Sequence, residues 1–592
     1  MADQTAVERS WPNLAAMFFD QARRRGDRPF LWAKRDRAYR PITWRETAAQ
    51  VEALARGLRA LGLVRGDRVA LVSENRPEWV IADLAIVSAG CITVPAYTTH
   101  QVEDHRYLLG NSGARAAIVS TPALAQHVIR AADQVDSVEC IVMLEELTEG
   151  YASSTEIRRL DDVLGRGREA GGDVATWVAE IGTDDLACLI YTSGTGGLPK
   201  GVMTSHGNIM ANCHGAFRLL ELLGLGDEVF LNFLPLSHSY EHTAGLMFPI
   251  YVGASIYFAE GAETLAANMI EARPTIMTAV PRLYETLHQR LLRMVEREGG
   301  WKARLFHRAV ALGEKRLAEP RSLGFGERLA DRVLDRLVRD KMRARFGGRL
   351  KAMVSGGAPL NPVIGAFFIA LGLRLLQGYG QTETSPVVSA NRPDRIKVAT
   401  VGPPLDGVEV KIAEDGEILV RGPVVMKGYW RDPEATARAI VNGWLHTGDV
   451  GEIDRDGYIV ITDRKRDFIK NSGGDMIAPA RVEGALTLEP QIAQAMVYGD
   501  KRPYLVAVIV PAQELVDQAK GDAAALHKAV AAVVGRVNQG LANIERVRRF
   551  TLAHEAFTTA NGQMTPTLKI RRHAIRAVYG TALEALYEGK SA

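Results

Sequence analysis

The chain has 592 residues, 47% hydrophobic and 24% charged, which is an ordinary globular composition and too long for a single core, so two or more domains are expected. A formal net charge of only +3 argues against a dedicated nucleic-acid binder, and Cys91, Cys140, Cys188 and Cys213 lack the C-x-x-C spacing of a zinc site or disulfide framework. The opening MADQTAVERSWPN shows no secretory pattern, and the longest apolar run, residues 363–373, falls far short of the roughly 20 that span a bilayer, so a cytoplasmic protein is expected.

In chain order, Val51, Leu54, Leu58 and Leu61 mark one face of a helix. Gly66 and Asp67 turn it into the strand RVALVSE, then come the helix PEWVIADLAIVSAG and the apolar strand CITVPAY. This alternation predicts crossover connections and a parallel, doubly wound α/β sheet. Strands of the same kind return at ARAAIVST, VECIVML, LACLIYTS, SIYFAE, PTIMTAV and LKAMVSG. Residues 290–349 hold 17 Lys/Arg against 8 Asp/Glu, a net of +9. They read as helical, with Leu329, Val333, Leu337 and Met342 near helical spacing. A solvated face laced with ion pairs is the favoured reading of this segment, and attraction to anionic lipid headgroups is the alternative.

Near residue 400 the pattern changes to short strands and turns, VEVKIAEDGEILVRG and GWLHTGDVGEIDRDGYIVITDR, which predict a small β-rich layer. The charged break DRKRDF then leads to an α+β unit with the helix ARVEGALTL and the strands AQAMVYG and YLVAVIV. The expected division is residues 1–463, a linker at 464–468, and 469–592.

The stretch YTSGTGGLPKG, residues 191–201, suits a phosphate: glycines allow close backbone approach, and hydroxyls and Lys200 supply donors and charge. It is not a P-loop of the G-x-x-x-x-G-K-[ST] kind, because Pro199 precedes the lysine and Gly201 follows it. Four more polar clusters accompany it. QGYGQTETSP offers Tyr379 and Glu383, GWLHTGDVG presents Asp449 in a turn, DRKRDFIKNSGGDMIAP carries Arg464, and NGQMTPTLKIRR carries Lys569. Each alone has a bland reading, as a turn, a cap or a surface lysine.

In this order and spacing the motifs resemble the adenylate-forming superfamily of acyl-CoA synthetases, luciferases and peptide-synthetase adenylation domains. LPLSHSYEH, VSGGAPL and NSGGDMIAP look most like its long-chain fatty acyl-CoA synthetases. The resemblance implies a large N-terminal domain of helix-flanked sheets, a small mobile C-terminal domain, and ATP, Mg²⁺ and CoA as reactants. It assigns Thr192, Ser193, Gly194, Thr195, Gly196 and Lys200 to the ATP phosphates, and Glu383 to Mg²⁺. Gly357, Ala358, Tyr379, Gly380, Thr382, Asp449 and Arg464 fall to the adenosine, and Lys569 to the bridge between carboxylate and α-phosphate. Arg466 aligns with the hinge, and Gly473 and Gly474 with the face that approaches during thiol transfer. His238 and Tyr240 match an acyl-pocket wall, with Gly245 and Gly253 as further candidates for it or for plain core packing. His242 stands about where some long-chain enzymes carry a tryptophan gate.

The family usually reads S-G-T-T-G in the phosphate loop, whereas this chain has Gly196 in place of the second threonine. A lost hydrogen bond to a charged phosphate costs about 1.5–3 kcal/mol, so slower adenylation is expected. Only 23 residues follow Lys569, too few for a carrier domain, which favours diffusible CoA as acceptor. The expected partners are thus a fatty acid and CoA, with no nucleic acid. Peripheral contact with the inner face of an anionic membrane through residues 290–349, and a homodimer, stay open. The competing readings are a ligase for an aryl, medium-chain or amino acid, and a low-turnover nucleotide or acyl binder.

Overall fold

The segment Pro77–Ser88 is apolar on every side, and a helix of that kind must be enclosed. In the computed structural model, which describes residues 10–147, 153–192, 198–261, 263–319, 322–464, 468–473 and 475–588, every residue of this helix except Glu78 is buried. It lies with helices Leu14–Arg25, Trp44–Ala60 and His206–Leu220 in a layer between two sheets, packed with Val69, Leu71 and Ile190 of one and Ile256, Ala352 and Leu376 of the other. The Thr43–Glu46 capping box starts helix Trp44–Ala60 by satisfying backbone donors at its first turn.

Among the described residues each large sheet has eight strands. The first runs Gly428–Tyr429, Lys200–Ser205, Leu186–Thr192, Ile92–Ala96, Arg68–Val72, Ala116–Val119, Cys140–Met143, Glu156–Arg159. The second runs Val387–Ala390, Leu375–Gly380, Ala352–Ser355, Ile276–Ala279, Val229–Asn232, Ser255–Phe258, Pro29–Arg35, Ala38–Thr43. Helices Val102–Ser112 and Pro122–Ala132 cover the outer face of the first sheet, and Leu265–Ala272, Pro281–Glu298 and Pro362–Ala370 that of the second. The expected parallel winding holds in the middle of both sheets and at the Glu156–Arg159 edge of the first, but not at the other three edges. Leu186–Thr192 and Lys200–Ser205 pair antiparallel, as do Leu375–Gly380 with Val387–Ala390 and Pro29–Arg35 with Ala38–Thr43. The connections there are too short for a crossover, so only a hairpin can form.

The β-rich layer stands where the sequence indicates it, from Glu409–Ile412 through Ile459–Arg464. Beyond it strands Ile492–Tyr498, Leu505–Pro511 and Val547–Leu552 form a small sheet, with Pro479–Thr487 and Ala523–Gln539 on one face and Arg572–Ala585 on the other. This unit rests on helix Pro281–Glu298: Arg282 Nη2 donates to Ala493 O at 2.8 Å, and Arg293 pairs with Glu514 at 2.7 Å.

The basic segment is helical, but its stripe differs from the expected one. Leu329, Val333 and Leu337 are exposed and only Met342 is buried. The neighbouring stripe of Ala330, Leu334 and Val338 faces Ala309 and Leu312 instead. Buried Arg339 sets that rotation, donating to Ala370 O at 2.7 Å, Ala309 O at 2.8 Å and Asp331 Oδ1 at 2.6 Å.

Candidate active site

In open α/β sheets ligands bind beyond the carboxyl ends of the strands. Here Thr192, Gly356, Tyr379 and His238 all lie at or just past such ends, and they line one cavity of about 1300 Å³. Of the residues singled out from sequence, Thr192, Lys200, His238, Tyr240, Gly357, Tyr379, Gly380, Thr382, Glu383 and Lys569 line it. Ala358, Asp449 and Gly473 do not, Asp449 being buried next to Gly448, which does. Ser193, Gly194, Thr195, Gly196, Arg466 and Gly474 lie outside the described residues.

On one side the strands Leu186–Thr192 and Lys200–Ser205, which flank residues 193–197, are tied to their neighbours. Tyr107 donates to Pro199 O at 2.8 Å, Trp430 N to Gly201 O at 2.7 Å, and Tyr191 to Asn111 Oδ1 at 2.6 Å. A Cβ on Gly201 would press against the Tyr191 ring at 3.1 Å, which fits glycine there. Lys200 Nζ stands 4.8 Å from the centre of the Tyr429 ring, whose hydroxyl donates to Glu383 Oε1 at 2.9 Å. The cation and the carboxylate are thereby arranged around one aromatic ring.

On the next wall the Tyr379 hydroxyl donates to buried Asp449 Oδ2 at 2.7 Å. Gly448, at φ +72°, turns the chain ahead of the aspartate, and its N–H donates to Glu417 Oε1 at 2.8 Å. Arg464 pairs in register with Asp449 across the adjacent strand. Gly380 fits only without a side chain, because a Cβ would lie 1.8 Å from Pro386 O. Thr382 meets Ser239 at 3.0 Å, joining the Glu383 segment to the His238 segment.

The third wall joins both units. Lys569 arrives on the loop Thr565–Ile570 of the C-terminal unit, where Thr565 N donates to Lys569 O and Lys569 N to Thr565 Oγ1. Its Cε passes within 3.9 Å of where a Gly357 Cβ would be. Leu568, at φ +61°, packs in the cluster of Leu234, Tyr240 and Val280 and so anchors the loop in the larger unit. Tyr240 lies against Gly356, where a Cβ would come within 2.9 Å of its ring. His238 Nδ1 accepts from Tyr240 N at 3.2 Å, and burial, with a smaller contribution from the Lys569 charge, pushes the imidazole down to about 3. His238 is therefore neutral at ordinary pH.

His242 is not on the cavity. It is buried with Asp83 at 3.0 Å and packs edge-on to Trp79, so the residue at the gate position serves the core. Gly245, against Glu241, and Gly253, against Arg25, are packing glycines as well. Sequence reasoning passed over Tyr429, Ser239 and Glu417, all of which line the cavity. Tyr429 lies in the short strand Gly428–Tyr429, which pairs with Val202–Met203 of the phosphate hairpin, and nothing local in G-Y-W announces that pairing.

Known proteins resemble the chain along nearly its whole length. The AMP-binding enzyme family matches residues 18–430, and the AMP-binding enzyme C-terminal domain matches residues 466–591. The chain is 34% identical to the long-chain-fatty-acid–CoA ligase FadD15 of Mycobacterium bovis, over 97% of each chain. It is 31% identical to the peroxisomal long chain acyl-CoA synthetase 6 of Arabidopsis thaliana, over 93% of this chain and 82% of that one. Among solved structures, the A-PCP didomain of the carboxylic acid reductase of Segniliparus rugosus, in complex with AMP, superposes with a TM-score of 0.80 at 24% identity, over 98% of this chain and 82% of that one. At that identity the likeness is one of fold.

Proposed function

The chain belongs to the AMP-binding enzyme family, and on that premise we propose that it is an AMP-forming fatty acid–CoA ligase acting foremost on long-chain acids. A carboxylate cannot acylate a thiol directly, because its leaving group would be oxide. Attack of the carboxylate on the α-phosphate of ATP expels pyrophosphate and yields an acyl-adenylate. The thiol of CoA then displaces AMP.

One observation carries this reading: Lys569 from the C-terminal unit and Lys200 and Glu383 from the larger one converge on a single cavity. Two anions have to meet there, and fixed positive charge where negative charge accumulates is what lowers the barrier. Lys569 bridges carboxylate and α-phosphate. Thr192 and Lys200, with the loop between them, hold the departing pyrophosphate. Asp449 and Arg464 take the ribose hydroxyls, and Tyr379, Gly380, Thr382 and Gly357 the adenine, with Ala358 set behind them. Mg²⁺ keeps waters and takes its other ligands from phosphates; Glu383, on the cavity beside Lys200, would hold it, and it would neutralise phosphate charge. Neutral His238 and Tyr240 wall the acyl chain, since neither half-reaction needs a base.

Residues 1–463 form the adenylating domain in this proposal, and 464–468 the hinge, centred on Arg466, about which 469–592 turn. The turn withdraws Lys569 and brings Gly473 and Gly474 to the thiol path. Among the described residues no helix is long and apolar enough to cross a membrane, and the enzyme works in the cytoplasm, peripherally at the inner membrane face where its substrates partition. Incubation with palmitate, ATP, Mg²⁺ and CoA tests the reading. Palmitoyl-CoA and AMP should appear in equal amounts, and ADP in place of AMP would overturn it.

A further inference from the structure

The helix Phe325–Leu334 carries two apolar stripes and buries one. Ala330 and Leu334 face Ala309 and Leu312, whereas Phe325, Leu329 and Val333, four residues apart, are 88%, 57% and 50% exposed. Leu337 continues that outer stripe at 48%. Beside it, one residue earlier at each turn, run Arg328, Arg332 and Arg336. The acidic groups on and just after this helix are already engaged: Glu327 with Lys315, Asp331 with Arg316 and Arg339, Asp335 and Asp340 with Arg343. Among the described residues Arg332 and Arg336 take part in no ion pair, and the Arg328 guanidinium reaches only Leu323 O.

An apolar stripe bordered by guanidinium groups is a poor match for a second copy of the same surface, which would set like charges against each other. It matches an anionic lipid surface, where aliphatic side chains enter the acyl region and arginines reach phosphates from their long stems. The net charge of +9 over residues 290–349 supplies the long-range attraction. We propose that helix Phe325–Leu334 docks the protein on an anionic bilayer, with Phe325, Leu329 and Val333 inserted and Arg328, Arg332 and Arg336 on headgroup phosphates. This deepens the membrane-side placement proposed above and is read by binding alone, without turnover.

The test is co-sedimentation of the full chain with vesicles of phosphatidylcholine alone or mixed with phosphatidylglycerol. Unaltered protein should partition about tenfold more strongly onto the anionic vesicles, and NaCl should reverse this. The pair Leu329→Asp and Val333→Asp should lower partition about tenfold or more, as should Arg332→Gln with Arg336→Gln, and Arg→Lys at both arginines should restore most of the binding. Melting temperature and palmitoyl-CoA formation from dissolved palmitate should stay unchanged in every variant. If the aspartate pair fails to fold, the exposed arginine pair decides. Equal binding to both vesicle types, or full binding by both pairs of variants, would overturn the proposal. A change of oligomeric state in the aspartate pair with partition intact would assign the face to a second copy. Absence of ligase activity alongside normal partition would sink the functional reading and leave this one standing.

Discussion

The Tyr429 hydroxyl donates to Glu383 Oε1 across 2.9 Å while the Lys200 ammonium stands 4.8 Å from the centre of the same ring. One tyrosine thus positions both the carboxylate proposed for Mg²⁺ and the cation proposed for the phosphates. Tyr429→Phe removes the hydrogen bond and keeps the ring, so Glu383 gains freedom while Lys200 does not. A hydrogen bond to a charged group is worth about 1.5–3 kcal/mol, which predicts roughly a 10- to 100-fold fall in pyrophosphate–ATP exchange. Excess Mg²⁺ should recover part of the loss, whereas a purely structural role would leave the Mg²⁺ dependence as in the unaltered enzyme.

In the proposed mechanism Lys569 serves the first half-reaction only. Lys569→Ala should abolish measurable pyrophosphate exchange, with a fall of about a hundredfold or more for a preorganised charge in the transition state. Thioester formation from chemically supplied palmitoyl-adenylate should persist within a fewfold of normal. Loss of both halves to the same extent would mean that the lysine holds the fold or the bound adenylate rather than the first transition state.

Folding stability should peak near neutral pH. Burial pushes His105, His206 and His238 down to about 3, 4 and 3 respectively, so the folded chain leaves them neutral. The unfolded chain protonates them near 6.5, and stability is therefore lost as pH falls below that value. Glu241 runs the other way: burial raises it to about 8, so the stability present while it is protonated in the folded chain declines as pH rises from about 4.5 to 8. Glu241→Gln, which keeps a group able to accept from Phe233 N, should add about 2–4 kcal/mol more at pH 8 than at pH 5. Chemical denaturation at the two pH values measures the difference, and an equal effect at both would contradict the assignment.

The loop position Gly196 lies outside the described residues but carries its own expectation. Gly196→Thr restores the hydroxyl of the usual S-G-T-T-G pattern and should lower the KM for ATP with the palmitate KM unchanged. A KM for ATP that stays or rises would show that the glycine serves the backbone path of the loop.

How far the sequence foretells the structure differs from element to element. Helix Pro77–Ser88 and the strands around it are readable because apolar runs of helix and strand length stand between clear turn residues. The edge pair Pro29–Arg35 and Ala38–Thr43 is not, since its strands mix polar and apolar residues and only pairing with Ser255–Phe258 makes them part of a sheet. The outer stripe of Phe325–Leu334 has helical spacing as good as the inner one, and the choice rests on buried Arg339, a contact among distant segments. At the site, motif order suffices to collect Tyr379, Glu383 and Lys569. Tyr429 becomes visible only when residue 429 pairs with residue 202, and His242 leaves the site because Asp83 claims it inside the core.

The most direct test of the central claim is pyrophosphate–ATP exchange without CoA, with octanoate, palmitate, benzoate and mixed amino acids offered separately. Exchange with palmitate well above the other three is the predicted result, and it would establish the adenylating step together with a long-chain pocket. Exchange supported by benzoate or amino acids but not by palmitate would contradict the substrate, and no exchange with any of the four would contradict the adenylating reading of the Lys569–Glu383 cavity.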